Sequence, residues 1–221
     1  PRMKTVELLF IDLDDTVYPQ NIGIWPYLGN RIYSYMRDVL DIPQDQVVAM
    51  RERLFIQYGT TMRGLQHELG IDIHDYLDYV HGVDLSSYLQ ADQELRQALE
   101  AIPQEKWIFT NADYKHAEQV LGLLGIRDLF SGIIDVLDTN PWCKPQPQAF
   151  EIGLRKAGNP DPTTCLFIDD RIPNLDMAKA LGMKTLLVDI EPDHLGHHPV
   201  IQKLAQLPTF LENNTSKSRD Y

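Results

Sequence analysis

The sequence predicts an α/β protein: a doubly wound parallel sheet carrying an inserted, small all-helical unit. Three observations predict it. Short apolar runs recur along the chain, segments of helical periodicity separate them, and between about residues 17 and 89 the alternation gives way to helical spacing alone. A strand that is apolar on both faces must be covered on both, the signature of a parallel sheet flanked by helices.

The elements follow in order. Residues 6–11 (VELLFI) form a continuous apolar run closed by Asp12, and comparable runs lie at 107–109, 132–136, 165–168 and 185–190. Between them Ala117, Val120, Leu121 and Leu124, then Phe150, Leu154 and Ala157, then Leu175, Ala178 and Leu181 recur at three-or-four spacing, as helices require. In the insertion the same spacing links Leu28, Ile32, Tyr35 and Val39, and again Val47, Leu54, Phe55 and Tyr58. The expected organisation is a core of 1–16 and 90–212, a helical cap of 17–89, and a disordered tail of 213–221. Because the insertion leaves the core just after the first strand, it stands over the carboxyl edge of the sheet, where ligands of open α/β sheets bind.

Composition bounds the function. A chain of 221 residues has room for a full core and a smaller attached unit. With 43% hydrophobic and 24% charged residues it has the makeup of a globular protein, which excludes wholesale disorder. The formal charge of −12 argues against a nucleic-acid polymer as partner, since that binding needs clustered Lys and Arg. No apolar run approaches 18 residues and residues 1–12 lack a secretory pattern, so no membrane association and a cytoplasmic location are expected. Cys143 and Cys165, the only two cysteines, then read as reduced core residues.

Chemistry concentrates at the strand ends. Asp12-Leu13-Asp14-Asp15-Thr16 follows the first run, and two carboxylates at i and i+2 can converge on one cation. Alone, such a pair is a weak signal. Here Phe109-Thr110-Asn111 follows the second run, Lys144-Pro145 precedes a helix, and Phe167-Ile168-Asp169-Asp170 ends the fourth run. An acidic pair, a hydroxyl, an ammonium and a second acidic pair, each at a strand end and in this order, make a strong signal.

In these four segments, FIDLDDTVY, FTNAD, CKPQP and FIDDRIPN, the chain resembles the haloacid dehalogenase-like (HAD) superfamily. The segment from Tyr58 to Leu65, with WIFTNADYKHA and LGIRDLF, is similar to its pyrimidine 5'-nucleotidase branch. The resemblance implies a Mg²⁺-dependent phosphomonoesterase working through an aspartyl-phosphate, on a pyrimidine nucleoside 5'-monophosphate. The alternatives are a phosphatase of sugar or other small-metabolite phosphates, or a phosphomutase. It implies Asp12 as nucleophile and metal ligand, and Asp14 as general acid and base whose backbone carbonyl also binds the metal. It further implies Asp170 as a ligand, Asp169 as a ligand directly or through water, and Thr110, Asn111 and Lys144 as holders of the phosphoryl group. Arg171 departs from the small residue usual at its position.

Physical chemistry agrees with that set. Four carboxylates held close raise one another's pKa unless a cation sits among them, and hard oxygen donors without His or Cys favour Mg²⁺. An acid at neutral pH would need the Asp14 pKa raised above about 3.9. Asp14 also argues against a dehalogenase, which lacks that acid, and the absence of lysine between Lys4 and Lys106 argues against a phosphonatase that needs one in the cap.

Other residues carry plainer expectations. Arg63 is the leading polar candidate for substrate specificity. His67, His74 and His81 repeat at sevens, but Gly70 interrupts the pattern. Trp25, Tyr27, Tyr33, Tyr35 and Tyr58 read mainly as core, and Asn174 as a buttress for the Asp169–Asp170 loop.

Overall fold

The computed structural model describes residues 5–191 and 198–216. Five parallel pairings join six strands in the order β3-β2-β1-β4-β5-β6: β1 Leu8–Ile11, β2 Glu105–Phe109, β3 Gly132–Ile134, β4 Cys165–Asp169, β5 Lys184–Val188 and β6 Val200–Ile201. Every residue of β1 and β4 is buried, as their doubly apolar runs require. The short β6 was not expected, because two residues carry too little periodicity to stand out.

Nine α-helices complete the described chain: α1 Ile24–Ser34, α2 Gln44–Tyr58, α3 Thr61–Leu69, α4 Ile73–His81, α5 Gln93–Glu100, α6 Tyr114–Leu124, α7 Pro147–Lys156, α8 Ile172–Ala180 and α9 Leu207–Ser216. The α1 helix runs on into a π-helical turn, Tyr35–Val39, which leaves Val39 half exposed although its spacing suggested burial. Side-chain caps set three starts: Thr60 accepts from the Arg63 N–H, Asp72 from His74 and Asp92 from Leu95. The α9 helix corrects the expectation of disorder from residue 213, since it carries the chain to Ser216; residues 217–221 lie outside the described residues.

Packing is layered. Leu9, Ile11 and Leu166 meet Leu99 of α5, Leu121 of α6 and Leu207 on one face of the sheet. Phe10, Phe109 and Phe167 meet Phe150 of α7 and Leu175 of α8 on the other. A third cluster is internal to the helical segment, built from Ile32, Met36, Leu54, Leu65 and Leu77, with Val136 and Cys143 of the sheet domain closing it. The α2 and α3 helices approach so closely that a Cβ on Gly64 would lie 2.7 Å from Leu54.

Candidate active site

Register brings the polar strand ends together. Ile11 of β1 pairs with Ile108 of β2 and Ile168 of β4, so Asp12, Thr110 and the Asp169–Asp170 pair emerge side by side at the carboxyl edge. The Asp12 N–H donates to the Ile168 carbonyl at 2.9 Å, which carries the strand geometry one residue past β1.

Lys144 reaches this edge from the loop between β3 and α7. Its ammonium, 1% exposed, donates to Asp12 Oδ1, Asp169 Oδ2 and the Phe109 carbonyl, each at 2.7 Å. Asn111 sets the height of that loop: its amide donates to the Lys144 carbonyl and accepts from the Lys144 N–H, both at 2.9 Å. Gly59 permits the approach from the helical side. It has φ +85°, and a Cβ there would stand 3.0 Å from both Cys143 Sγ and the Lys144 carbonyl.

The acidic residues differ in their surroundings. Asp169 is fully satisfied, accepting from Lys144, from the Arg171 N–H at 2.9 Å and from Asn174 at 3.0 Å on each oxygen. Asn174 thus buttresses that loop. Burial pushes Asp12 up to about 7, with Asp169 and Asp14 adding to the shift and Lys144 opposing it. Asp170, which makes no hydrogen bond among the described residues, is pushed to about 9 by burial and then by Asp12 and Asp169.

Oxygens of Asp12, Asp169 and Asp170 lie within 4.8 Å of one another. With all three carboxylates ionised, one ammonium would leave two negative charges in excess, which is why burial and mutual repulsion push Asp12 and Asp170 up. An all-oxygen set with that excess fits a hard divalent cation such as Mg²⁺.

Asp14 sits beside this cluster in a different environment. Its Oδ1 accepts from Tyr18 Oη at 2.6 Å and from His116 Nε2 at 2.7 Å. Burial alone would raise its pKa, but His116 and Tyr18 outweigh it and hold the carboxyl below the usual range. This corrects the expectation of a raised value: sequence could not show that a histidine 102 residues away donates to it. Thr110 is buried, and its Oγ1 accepts from the Ala112 N–H at 2.9 Å, leaving the hydroxyl proton to be donated elsewhere.

These groups floor a cleft of about 250 Å³ whose far wall is helical. Trp25, Arg51, Phe55, Tyr76 and His81 line that wall, and Arg171 reaches across it with its guanidinium 4.3 Å from the Phe55 ring centre. Arg63 is not among the lining residues. Its guanidinium is buried and turned to the loop after β3, donating to Val136 O at 2.5 Å, Asn140 Oδ1 at 2.6 Å and Trp142 O at 3.0 Å. The expectation that it meets substrate is therefore corrected: two loop carbonyls take Nη2, the Gln66 and Asn140 side chains take Nη1, and none of these groups belongs to the cleft lining. Of the aromatic residues weighed from sequence only Trp25 lines the cleft.

The sequence reading passed over His116 and Arg51, and set His81 aside. The one available signal was that His116 falls in the first turn of the helix after the FTNAD segment, six residues from Thr110.

A sheet edge that gathers an acidic cluster around a buried lysine, beneath a helical wall, defines a hydrolase of the haloacid dehalogenase class. The family model for haloacid dehalogenase-like hydrolases matches residues 6–182, and the chain belongs to that family. Phosphate metabolism protein 8 of Saccharomyces cerevisiae is 29% identical over 201 residues, 84% of this chain; the chain spans 62% of that relative's length. Among solved structures, the HAD phosphatase from Thermococcus onnurineus (TM-score 0.65, 20% identity, 94% and 98% of the two chains) shares the fold. So do the HAD-hydrolase YfnB from Bacillus subtilis, determined with magnesium bound (0.64, 18%, 94% and 99%), and β-phosphoglucomutase from Clostridium difficile (0.60, 19%, 98% and 99%). Among the described residues no helix is long and apolar enough to cross a membrane.

Proposed function

We propose that this hydrolase is a Mg²⁺-dependent phosphomonoesterase of the cytoplasm, acting on a small phosphate ester, a pyrimidine nucleoside 5'-monophosphate by preference, and not on a nucleic-acid polymer. The observation that carries the reading is the joint placement of Asp12, Lys144, Asp169 and Asp170 within hydrogen-bonding or ligand distance, with Asp14 held beside them.

Asp12 Oδ2 is the oxygen not taken by Lys144, with only a long 3.4 Å contact from Thr16. In the proposed reaction one Asp12 oxygen attacks phosphorus in line, the P–O bond to the alcohol breaks, and Asp14 protonates the departing alkoxide. Asp14 then takes a proton from water, which attacks the aspartyl-phosphate and frees inorganic phosphate and the Asp12 carboxylate. A phosphate dianion entering beside Asp14 raises its pKa by like-charge repulsion, against the effect of His116. In this reading the Thr110 hydroxyl and the Asn111 N–H donate to phosphoryl oxygens, and Lys144 neutralises them. Asp12, Asp170 and the Asp14 carbonyl, with Asp169 directly or through water, would hold Mg²⁺, which when bound supplies charge neutralisation for the phosphoryl group.

The aromatic lining of Trp25, Phe55 and Tyr76 supports a planar base in the outer cleft. A second reading, phosphates of sugars or other small metabolites with a phosphomutase included, is favoured by Arg51 and Arg171. Both line the cleft and neither has a hydrogen-bonded or ion-paired acceptor among the described residues, as an oxygen-rich substrate would use. A phosphate-release screen over nucleoside monophosphates and sugar phosphates with Mg²⁺ separates the two. Asp12→Asn should abolish turnover and phosphoenzyme formation; normal turnover in that variant would sink the mechanism.

A further inference from the structure

We infer that His116 is a positioning residue for Asp14, held in place by a second pair, His81 and Asp113, that ties it to the helical wall. The inference rests on the reading of Asp14 as the acid and base of the proposed reaction.

Both donors to Asp14, from Tyr18 and His116, converge on one oxygen, Oδ1. Its Oδ2 has no partner among the described residues, so it is the oxygen left for the alcohol or the water. A carboxylate gripped at one oxygen cannot turn freely, and proton transfer is sensitive to sub-ångström placement.

The support behind His116 is built from both parts of the molecule. Its side chain is fully buried, and its ring stacks on His81 with centroids 4.5 Å apart and planes 26° apart. His81 closes α4, in the helical layer, and its Nδ1 lies 2.6 Å from Asp113 Oδ1 at the start of α6. Asp113 occupies the N-cap position of α6 but makes no side-chain cap bond, and the Tyr114 N–H beside it donates to Asp135 Oδ2 at 2.8 Å. Asp113 is thus free for His81. Alongside, Lys115 of α6 pairs with Asp78 of α4 at 2.8 Å, and the Gln119 amide spans Val83 O and Leu85 N. The seam from α4 to α6 therefore fixes where His116, and through it Asp14, can stand.

A merely structural residue would not be expected here. His116 Nδ1 is buried without a partner among the described residues, a desolvation cost that an apolar side chain would avoid. What the histidine adds over a phenylalanine is the Nε2–H directed at Asp14.

The test compares an alkyl phosphomonoester taken from the phosphate-release screen with p-nitrophenyl phosphate, whose leaving group needs little protonation. Single-turnover release of the alcohol is followed in wild type, Asp14→Asn, His116→Phe, His116→Gln and His81→Phe, each with Mg²⁺. Asp14→Asn should lose at least tenfold more on the alkyl ester than on the aryl ester. His116→Phe and His81→Phe should show the same selective loss, and His116→Gln, whose amide N–H can donate to Asp14, should recover part of it. A damaged fold would slow both esters alike. Equal losses in the His116 and His81 variants beside a selective loss in Asp14→Asn would overturn the positioning role alone. Equal losses in Asp14→Asn, or no alkyl ester hydrolysed at all, would overturn the reading of Asp14 and this inference with it.

Discussion

Lys144 Nζ and Asp12 Oδ1 stand 2.7 Å apart, 132 residues distant in sequence, with the lysine almost wholly removed from solvent. The same ammonium balances Asp169, so two buried carboxylates depend on one cation. Burial would lower the lysine's pKa, but Asp12 and Asp169 outweigh it and keep the pKa above its ordinary value.

Lys144→Met should therefore abolish turnover and also destabilise the fold. Removing one partner of a buried ion pair costs about 3 to 5 kcal/mol, because the remaining charges are left uncompensated. Thermal unfolding with and without Mg²⁺ checks this: the ion should recover part of the lost stability, and an unchanged melting temperature would contradict the shared role of the ammonium.

Asp170→Ala should act in the opposite sense on the metal-free protein. It removes a carboxylate that no hydrogen bond satisfies and that Asp12 and Asp169 repel, so the fold should not weaken. Mg²⁺ affinity, read by calorimetry, should fall by at least tenfold. Affinity equal to wild type would remove Asp170 from the ligand set.

Arg63→Ala should destabilise by about 2 to 4 kcal/mol, because Val136 O, Trp142 O and Asn140 lose a charged donor where the helical segment meets the loop after β3. Since the guanidinium faces away from the cleft, kcat/KM should fall in parallel for a nucleotide and for p-nitrophenyl phosphate. A loss confined to the nucleotide would return Arg63 to the substrate site.

The His81–Asp113 seam gives acid sensitivity in two stages. Burial and then His116 push His81 below its ordinary 6.5, against Asp113 and Asp14, so the folded state resists its protonation and stability falls as pH drops below 6.5. Burial would raise Asp113, but His81 and His116 hold it below 3.8, so its contribution is present above that pH and is lost as pH falls further. Melting temperature against pH should decline less between pH 6.5 and 5 in His81→Phe than in wild type. A decline as steep as wild type would show that the histidine is not the group responsible.

The parallel sheet was legible in the sequence because β1 and β4 must be apolar on both faces, and each of the four polar segments falls where a run ends. That Asp12, Thr110 and Asp170 would share one edge followed from topology alone, since strands that run parallel place their carboxyl ends together. What tertiary structure decided was the partner of each charged group. Arg63 met the resemblance but found carbonyls of residues 136 and 142 before it could reach the cleft, while Arg51, with no motif to mark it, and Arg171, a departure within the fourth segment, line it. Asp14 kept its place beside Asp12, but against burial its pKa is held down by His116 and Tyr18, the former supported by His81 from the far side of the cleft. Strand order and patterning are properties of local spacing, readable along a line. A hydrogen bond or a stacked ring depends on side-chain direction across elements a hundred residues apart, which only the folded chain fixes.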